Sequence, residues 1–558
     1  MKHVEKYRPA YFLPPGENTG WVRRDRLERA PIWCSVDLRD GNQALVTPMS
    51  LEEKLAYYRF LLGLGFKEIE VGFPAASETE YAFMRTLVDD RLIPDDVTVQ
   101  VLTQSRSHII EKTFAAITGA PRVIVHLYNS TSVEQRRQVF RLTESEIVTI
   151  AEDGARLFDR LAARMPETKF SFEYSPESFT GTEPEFALAI CNAVIDVWKP
   201  DAARPVIVNL PATVETSMPH VYAQQVAFMN ANLRCRENVV ISLHSHNDRG
   251  TAVAATELGL LAGGDRVEGT ILGNGERTGN VDIVTLALNL YTHGVDPGLD
   301  FSDMPGIVRT YEEVTGLKVS PRHPYAGDLV FAAFSGSHQD AIAKGMQFRK
   351  ESGEALWSVP YLPLDPADVN REYETDVIRI NSQSGKGGIS YILETVFGFN
   401  LPKCLRQEVG YLVKDISDKA HKELSPREIL DAFTAAYVNV DAPVSLGNAG
   451  WKREAGGTVA DLTVTVDGRR LELSGSGNGS LDAVSHALRH GVPALDFTFA
   501  DYAQHALESD SDARAAAYVK IVGGAGNAVW GVGVHNDIAM ASVLALVSAV
   551  NRELGGGT

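Results

Sequence analysis

Two histidines that stand two residues apart, His244 and His246, form the strongest metal-ligand pattern in the sequence. They lie at the end of an apolar run that begins at Val239 and reads as a strand. Because alternate residues of a strand point to the same face, both imidazoles can face one ion. Two histidines in a strand also occur as ordinary polar neighbours, so the pattern depends on further ligands.

Further ligands follow two other apolar runs. Arg39 and Asp40 follow the run that begins at Ile32, and Asn280 stands in the glycine-rich stretch after the run that begins at Val267. One carboxylate, two imidazoles and an amide make a mixed nitrogen and oxygen site with open positions, suited to Mg²⁺, Mn²⁺ or Zn²⁺. Neither this stretch nor the glycines at 384–388 fit a nucleotide-binding loop, so ATP or NAD binding has no support.

The elements that carry these side chains read as an α/β fold. From Ile32 onward, short apolar runs alternate with stretches whose apolar residues have helical spacing, such as Leu51–Leu64 and Glu144–Arg164. Eight such pairs predict a (β/α)8 TIM barrel, and a doubly wound open sheet is the alternative. Polar clusters follow six of the runs, which favours a barrel, where strand ends converge on one mouth. The predicted strands are Ile32–Asp37, Glu68–Gly72, Val97–Leu102, Val123–Tyr128, Lys169–Tyr174, Val206–Leu210, Val239–His244 and Val267–Leu272.

Composition limits the class of protein. The 558 residues exceed one ordinary core, and 53 basic against 72 acidic residues give a net charge of −19, which argues against a nucleic-acid partner. The four scattered cysteines fit a reducing compartment. Neither a targeting segment nor an apolar run of membrane length occurs, so we expect a cytoplasmic protein without a membrane span.

The chain beyond the barrel reads as a connector and a repeated tail. We expect an N-terminal extension at 1–31, the barrel at 32–327, helical connector subdomains at 328–435 and an α+β domain at 436–558. In that last domain, Gly475 and Gly477 match Gly531 and Gly533 at an offset of 56. Each copy reads as a glycine-ended strand followed by a helix, which predicts an internal two-fold repeat; chance similarity is the alternative.

Two signatures in the sequence resemble those of the 2-isopropylmalate synthase and homocitrate synthase family. The first is Leu38-Arg-Asp-Gly-Asn-Gln43 with Lys54, and the second is His244-Ser-His-Asn-Asp248 with Asn274–Asn280. Five further segments resemble the longer, actinobacterial-type branch of 2-isopropylmalate synthases: His126–Ser132, Phe172–Glu177, Asn209–Thr213, Gly336–Asp340 and Asn381–Gly388. The resemblance runs from about Ile32 to the C-terminus.

That resemblance implies an acyltransferase of leucine biosynthesis. The family condenses acetyl-CoA with 3-methyl-2-oxobutanoate and water to give (2S)-2-isopropylmalate and CoA. It implies a divalent metal, with Mg²⁺ first and Mn²⁺ or Zn²⁺ as alternatives, and K⁺ as an activator. It further implies a homodimer with leucine as feedback inhibitor, bound by the C-terminal domain.

The family's roles carry over onto matching positions. Asp40, His244 and His246 hold the metal with Asn280 as a weaker ligand, and Arg39 stabilises the alkoxide that forms at the keto oxygen. A salt bridge at the barrel mouth is the alternative role of Arg39. The resemblance assigns the other residues as follows: Thr213 binds the substrate carboxylate, His126 and Tyr128 shape the pocket, and Glu177 and His338 are candidate bases, assisted by Tyr373. In the alternatives, Thr213 caps a helix, His126 and Tyr128 pack the barrel mouth, and His338 is a surface residue.

For the effector pocket, the glycine-rich strand ends offer N–H groups, as does the helix N-terminus near Asn536. Asp537 or Asp501 could accept the amine of leucine, and Tyr518 could line the pocket. Each of these residues could equally be an ordinary turn or cap position.

Three other functions compete with this interpretation. A sister synthase for another 2-keto acid, such as homocitrate or citramalate synthase, is the nearest. A barrel metal hydrolase would explain the histidine pair but leaves Arg39 and the Asn274–Asn280 stretch without a role. An amino-acid sensor with an inactive barrel conflicts with the intact set of Arg39, Asp40, His244 and His246.

Overall fold

The fold is taken from a computed structural model, which describes residues 11–16, 19–333, 335–373, 386–420, 424–492, 495–507, 513–524 and 526–555. The described chain divides into two compact units. The first runs to Val330 and includes Pro366–Arg371, and the second comprises Phe331–Asp365 and the residues from Glu372 onward. Part of the predicted motif Asn381–Gly388 lies outside the described residues.

Eight parallel strands close into a barrel in chain order in the first unit. Strand β1 pairs with both β2 and β8, which completes the ring and excludes the open sheet. The predicted TIM barrel is thereby confirmed. The strands are β1 Ile32–Ser35, β2 Glu68–Gly72, β3 Thr98–Gln104, β4 Arg122–Ser130, β5 Lys169–Glu177, β6 Val206–Ala212, β7 Val239–Ser245 and β8 Arg266–Gly269.

A helix follows each strand, and local sequence signals set where several of them begin. Ser50 and Glu53 form a capping box at the start of the first helix, and Thr143 and Glu146 form another. Pro184 begins a helix at a position where its missing N–H costs nothing. The helices are α1 Leu51–Gly63, α2 Glu78–Asp89, α3 Ser107–Ala116, α4 Glu144–Ala162, α5 Pro184–Trp198, α6 Pro219–Asn232, α7 Ala252–Leu261, α8 Ile283–Thr292 and α9 Met304–Thr315.

Strand β8 ends earlier than predicted. The apolar run continues to Leu272, but the strand stops at Gly269 and a short turn covers Ile271–Gly273. Leu272 has a φ of 55°, a left-handed conformation that a strand cannot contain. The glycine-rich segment that leads to Asn280 therefore begins as a tight turn at the barrel mouth.

In the second unit, the connector is helical, as predicted. The sixteen buried residues of one core cluster join three of its helices to one face of a C-terminal sheet, including Tyr518 and Trp530. None of the helices in the described ranges combines the length and apolar character that a membrane crossing requires. The connector helices are α10 Gly336–Ser352, α11 Lys386–Thr395, α12 Lys403–Ala420 and α13 Pro426–Tyr437.

The C-terminal module consists of two three-stranded antiparallel sheets, each followed by one helix. Its strands and helices are β9 Val444–Glu454, β10 Gly457–Val466, β11 Arg469–Gly477, α14 Ser480–Gly491, β12 Phe497–Ala506, β13 Ala515–Gly523, β14 Ala528–His535 and α15 Ile538–Leu554. Both halves contribute to one apolar core. The predicted internal repeat is therefore present.

The offset of the repeat is 58 in the structure, whereas the sequence match indicated 56. Gly475 packs against the helix backbone at Ala483 and Ala487, and Gly533 packs in the same way at Ala541 and Ala545. The sequence match at 56 differs from the structural equivalence by two residues. Because strand residues two apart share a face, both alignments place the glycines on the same face of the strand. The glycines are needed because a Cβ at either position would collide with the helix backbone.

Candidate active site

Three predicted metal ligands come together at the barrel mouth. Asp40 lies on a π turn, Asp37–Gly41, that follows β1, while His244 and His246 lie at the end of β7. Asp40 Oδ2 is 3.4 Å from His244 Nε2 and 3.5 Å from His246 Nε2. One ligand atom from each residue lies within 4.8 Å of the others, and all three residues are buried. This arrangement can hold a divalent metal.

Asn280, the predicted fourth ligand, lies beside them. Its Nδ2 donates to Asp40 Oδ2 at 2.9 Å and to the carbonyl of Asn274 at 3.0 Å. Its buried Oδ1 has no hydrogen-bond partner among the described residues. An oxygen left unpaired in a buried site is costly, and a hard cation would satisfy it. The donor set fits a divalent ion.

The protonation states also suit a cation site. Burial alone would raise the pKa of Asp40, but Arg39 and the two imidazoles outweigh it and hold that pKa well below its usual range. Burial and the charge of His244 lower the pKa of His246 to about 4. Burial opposes protonation of His244, yet hydrogen bonds to Asp40 and Glu268 raise its pKa to about 9. Metal binding would therefore release a proton from His244.

Arg39 is fixed by two carboxylates. Its Nε donates to Glu70 Oε2 at 2.6 Å and its Nη1 donates to Asp40 Oδ1 at 2.8 Å. Burial would lower the pKa of Arg39, but Glu70 and Asp40 raise it, so the guanidinium stays charged. A fixed positive charge beside a metal ligand can stabilise an oxyanion without moving.

The predicted substrate residues line a cavity of about 190 Å³ at the same mouth. His126 and Tyr128 point into it from β4, and Glu177 lies at the end of β5. Ser130 donates a hydrogen bond to Glu177, and Gln104 donates to the Tyr128 hydroxyl at 2.7 Å. The cavity thus combines three predicted metal ligands, a carboxylate and an aromatic hydroxyl. Its lining comprises Arg39, Asp40, Gln43, Leu102, His126, Tyr128, Ser175, Glu177, Asn209, Pro211, Thr213, His244, His246, Glu276 and Arg277.

Thr213 follows β6 at the rim of the cavity. Its hydroxyl accepts a hydrogen bond from the backbone N–H of Ser178 at 2.9 Å. Arg277 binds the carbonyl of Thr213 and donates to Asp248 Oδ1 at 2.7 Å. The loops after β6, β7 and β8 are therefore tied to one another around the cavity.

Comparison with known proteins identifies the family. A 2-isopropylmalate synthase of Desulfitobacterium hafniense strain Y51 is 59% identical over 553 residues, which cover 99% of this chain and 98% of that protein. The chain belongs to the 2-isopropylmalate synthase family. A 2-isopropylmalate synthase of Helicobacter hepaticus is 56% identical over 98% of this chain and 99% of that protein, and one of Mycobacterium ulcerans is 51% identical over the same shares.

Family models cover most of the chain. The HMGL-like model matches residues 30–310, the alpha-isopropylmalate synthase post-catalytic domain-like model matches 328–394, and the LeuA allosteric (dimerisation) domain model matches 421–554. Among solved structures, an HMG-CoA lyase of Brucella melitensis aligns with a TM-score of 0.41 and 18% identity over 52% of this chain and all of that one.

Two predicted residues of the synthase site lie in the second unit. His338 is on α10, where its ring stacks on Tyr361 with 3.9 Å between the ring centroids. Tyr373 lies at the end of the described range 335–373. Both roles stay predictions, because the two residues belong to a different compact unit from the metal group, Asp40, His244 and His246.

The predicted effector residues lie on different faces of the C-terminal module. The Asp537 carboxylate caps α15 by accepting from the N–H groups of Ala539 at 2.8 Å and Met540 at 3.0 Å. Tyr518 is buried on the sheet face that packs against the connector helices, opposite α15. Asp501 is exposed on β12, and Asn536 is exposed before α15. Their roles in effector binding stay predictions.

Sequence reasoning missed a buried polar layer beneath the metal group. Glu70, Gln100, Glu173, Arg266 and Glu268 are all fully buried inside the barrel. Their signal was present as polar residues inside predicted strands, as in Glu70 and Glu268, while Arg266 stands one residue before the predicted strand Val267–Leu272. Charged residues interrupt the apolar pattern that predicts a buried strand, so the pattern gives them no role. Buried charges in a barrel interior nevertheless mark a functional site.

The carboxyl groups of that layer differ in protonation state, and a further carboxylate, Glu68, accepts from Arg266 Nε at 2.6 Å. Burial and the charge of Glu268 raise the pKa of Glu173 well above its usual range, which makes it a neutral acid. Burial also opposes ionisation of Glu268, but the hydrogen bond from His244 and the charge of Arg266 hold its pKa well below the usual range. The two ionised glutamates, Glu70 and Glu268, thus face the two guanidinium groups of Arg39 and Arg266.

Proposed function

We propose that this chain is a metal-dependent 2-isopropylmalate synthase that condenses acetyl-CoA with 3-methyl-2-oxobutanoate and water, giving (2S)-2-isopropylmalate and CoA. The observation that carries the proposal is the convergence of Asp40, His244 and His246 with a doubly anchored Arg39 on one cavity. Sequence identities of 59% and 56% over nearly the full length of two proteins named 2-isopropylmalate synthase support the choice of reaction.

In the proposed mechanism, the 2-keto acid lies in the cavity with its keto oxygen toward Arg39. A bound divalent ion would be held by Asp40, His244, His246 and Asn280, and it would supply Lewis-acid polarisation of the keto group. Arg39 stabilises the negative charge that develops on the keto oxygen when the acetyl-CoA enolate attacks. Thr213 binds the substrate carboxylate, while His126 and Tyr128 restrict the pocket to a small side chain.

Glu177 is the base that the barrel itself presents to the cavity. We propose that it accepts the methyl proton of acetyl-CoA, a role that contributes about 10²–10⁴ in rate for general acid–base groups. The hydrogen bond from Ser130 keeps the carboxylate oriented. His338, assisted by Tyr373, is the alternative base that the family resemblance implies. Hydrolysis of the resulting thioester releases CoA.

Mg²⁺ is the proposed ion, because the set contains two hard oxygen ligands, Asp40 and Asn280. Mn²⁺ and Zn²⁺ remain alternatives, since imidazole nitrogen suits both. Activation by K⁺ is proposed from the family resemblance alone, as is a cytoplasmic location.

The proposal is tested by the release of free CoA thiol with a panel of keto acids. We expect 3-methyl-2-oxobutanoate to give the highest kcat/KM, above pyruvate and 2-oxoglutarate. Glu177→Gln should lower kcat by at least about 10²-fold with little change in the KM of the keto acid. Highest turnover with 2-oxoglutarate or pyruvate would assign the chain to a sister synthase instead.

Regulation by leucine and assembly as a homodimer are proposed for the C-terminal module. The match to the LeuA allosteric (dimerisation) domain model supports both. Leucine should raise the Tm of the intact chain, because a ligand that binds only the folded state stabilises it. It should also inhibit the enzyme. A chain that ends at Val440 should lose the inhibition, measured relative to its own uninhibited rate. Unchanged leucine potency after truncation would place the effector site elsewhere.

A further inference from the structure

We infer that Gln100 is a positioning residue that couples Glu70 and Glu268 behind the site. Through these two glutamates it orients Arg39 together with His244, the proposed metal ligand. The inference rests on the proposed metal site and condensation, and it adds a residue that neither motif contains. Gln100 lies on β3, is fully buried and does not line the substrate cavity.

Gln100 uses both ends of its amide. Its Nε2 donates to Glu268 Oε1 at 2.8 Å and to Glu70 Oε1 at 3.1 Å. Its Oε1 accepts from Arg266 Nη2 at 2.6 Å. The orientation of the amide is unambiguous, because a flipped group would set its oxygen against two carboxylates and its N–H groups against a guanidinium.

Each glutamate uses its other oxygen to hold a residue of the site. Glu268 Oε2 lies 2.7 Å from His244 Nδ1, and Glu70 Oε2 accepts from Arg39 Nε at 2.6 Å. The Glu268 contact assigns a proton to Nδ1 of His244 and leaves Nε2 facing Asp40, as a metal ligand requires. Gln100 therefore stands one residue behind both the metal ligand and the oxyanion-stabilising guanidinium.

Another side chain at this position would disrupt the arrangement. A glutamate would add a third carboxylate between Glu70 and Glu268, and the three like charges would repel one another. An apolar residue would leave two carboxylate oxygens and a guanidinium N–H without this partner in a buried site. Only an amide donates to both glutamates and accepts from Arg266 at once.

Glu70 and Glu268 are also connected by a second route, and its effect has to be separated from that of Gln100. Glu70 also reaches the metal group through Arg39 and Asp40, since Arg39 Nη1 contacts Asp40 Oδ1 at 2.8 Å. Substitutions of the glutamates alone therefore do not isolate Gln100. The separation requires comparing their coupling with and without the amide.

The experiment measures Mn²⁺ affinity by electron paramagnetic resonance for Glu70→Gln, Glu268→Gln and the double variant, first in the natural background and then with Gln100→Met. Methionine keeps the volume and removes the hydrogen bonds. We expect Glu268→Gln to weaken Mn²⁺ binding by about 10–100-fold, as loss of a ligand's orienting partner does. The two glutamate substitutions should be non-additive by about threefold or more. Gln100→Met should remove most of that non-additivity and leave the part that passes through Arg39 and Asp40.

The control is Gln104→Ala on the same strand, whose amide donates to Tyr128 rather than to a glutamate. It should leave the non-additivity intact. Gln100→Met should also lower kcat for the keto acid by more than it changes KM. Additive effects in the natural background would overturn the inference, as would non-additivity that Gln100→Met leaves undiminished. If Gln100→Met does not fold, Gln100→Leu replaces it in the same comparison.

The Mn²⁺ readout needs no substrate, so it separates this inference from the proposed reaction. A chain that binds Mn²⁺ with the expected coupling but turns over no 2-keto acid would overturn the synthase and leave the role of Gln100 standing. A natural chain that does not bind Mn²⁺ would overturn both.

Discussion

The barrel and the C-terminal module are both built from sheets and helices, yet they fill their interiors with different residues. Inward positions of the barrel strands carry Glu70, Glu173 and Glu268, all fully buried. The equivalent positions of the module carry apolar side chains such as Leu462 and Val519. Among the described residues of the module, the buried polar side chains are serines and Asn551, none of which titrates near neutral pH.

The difference shows where chemistry is located in this chain. Burying an ion pair often stabilises a fold no more than apolar packing would, so a layer of glutamates and arginines is retained for what it orients. In the module, glycines bring strands close to helices and leave a core that packs without catalytic groups. We therefore expect substitutions in the barrel to affect turnover and those in the module to affect local stability and regulation.

Loss of the metal ion or of one of its proposed ligands should give the largest effect. We expect chelation to abolish activity, and His246→Ala to lower kcat/KM by at least about 10²–10³-fold, because the site loses the charge that polarises the keto group. Far-UV circular dichroism should remain unchanged. His220→Ala, an exposed histidine on α6, serves as the control. Full activity of a metal-stripped sample would contradict this expectation.

Arg39→Lys should give the next largest effect. An ammonium group keeps the charge but cannot contact Glu70 and Asp40 with the planar fork of a guanidinium. We expect kcat to fall by about 10²-fold and KM for the keto acid to change much less. Arg156→Lys on the exposed face of α4 should change neither. A change confined to KM would show that Arg39 binds only the ground state.

These two effects concern residues that the sequence alone could identify. The spacing of His244 and His246, and the position of Asp40 after an apolar run, follow from strand alternation and from the convergence of strand ends in a barrel. Alternation of apolar runs and amphipathic stretches likewise predicted the eight barrel strands. Each of these patterns is local or depends on one rule of topology.

The buried layer could not be predicted in the same way. The contact of Gln100 with Glu70 and Glu268 joins β3 to β2 and to β8, and it depends on the depth of each side chain in the barrel. The offset of the repeat failed for a related reason. In the sequence, glycines two residues apart can be aligned at an offset of 56 or 58. Only the contacts of Gly475 with Ala483 and of Gly533 with Ala541 show that the offset is 58.

Gly533→Ala should affect the module alone. The added Cβ would collide with the backbone of α15 at Ala541 and Ala545, so the helix must move away from the sheet. We expect a local destabilisation of about 1–3 kcal/mol, the usual cost of overpacking, measured as faster hydrogen exchange of peptides from 538–554. Barrel peptides should exchange as before. Gly450→Ala on β9, where a Cβ meets nothing within 4 Å, is the matched control. Exchange of α15 at the natural rate would contradict the close packing.

The smallest effect should come from the helix cap that distinguishes the two halves of the module. Asp537 caps α15 through two backbone N–H groups, whereas Gly479 occupies the same position of α14 without a side-chain bond. Asp537→Ala should therefore destabilise the first turn of α15 by about 1 kcal/mol, and Gly479→Asp should stabilise α14 by less. Both are measured by hydrogen exchange of the two helices. Since the carboxylate of Asp537 is already bonded to the helix, we expect leucine inhibition to persist in Asp537→Ala. Loss of inhibition with unchanged exchange of α15 would instead assign Asp537 to the effector site, and the two halves of the module would then differ in ligand binding rather than in capping.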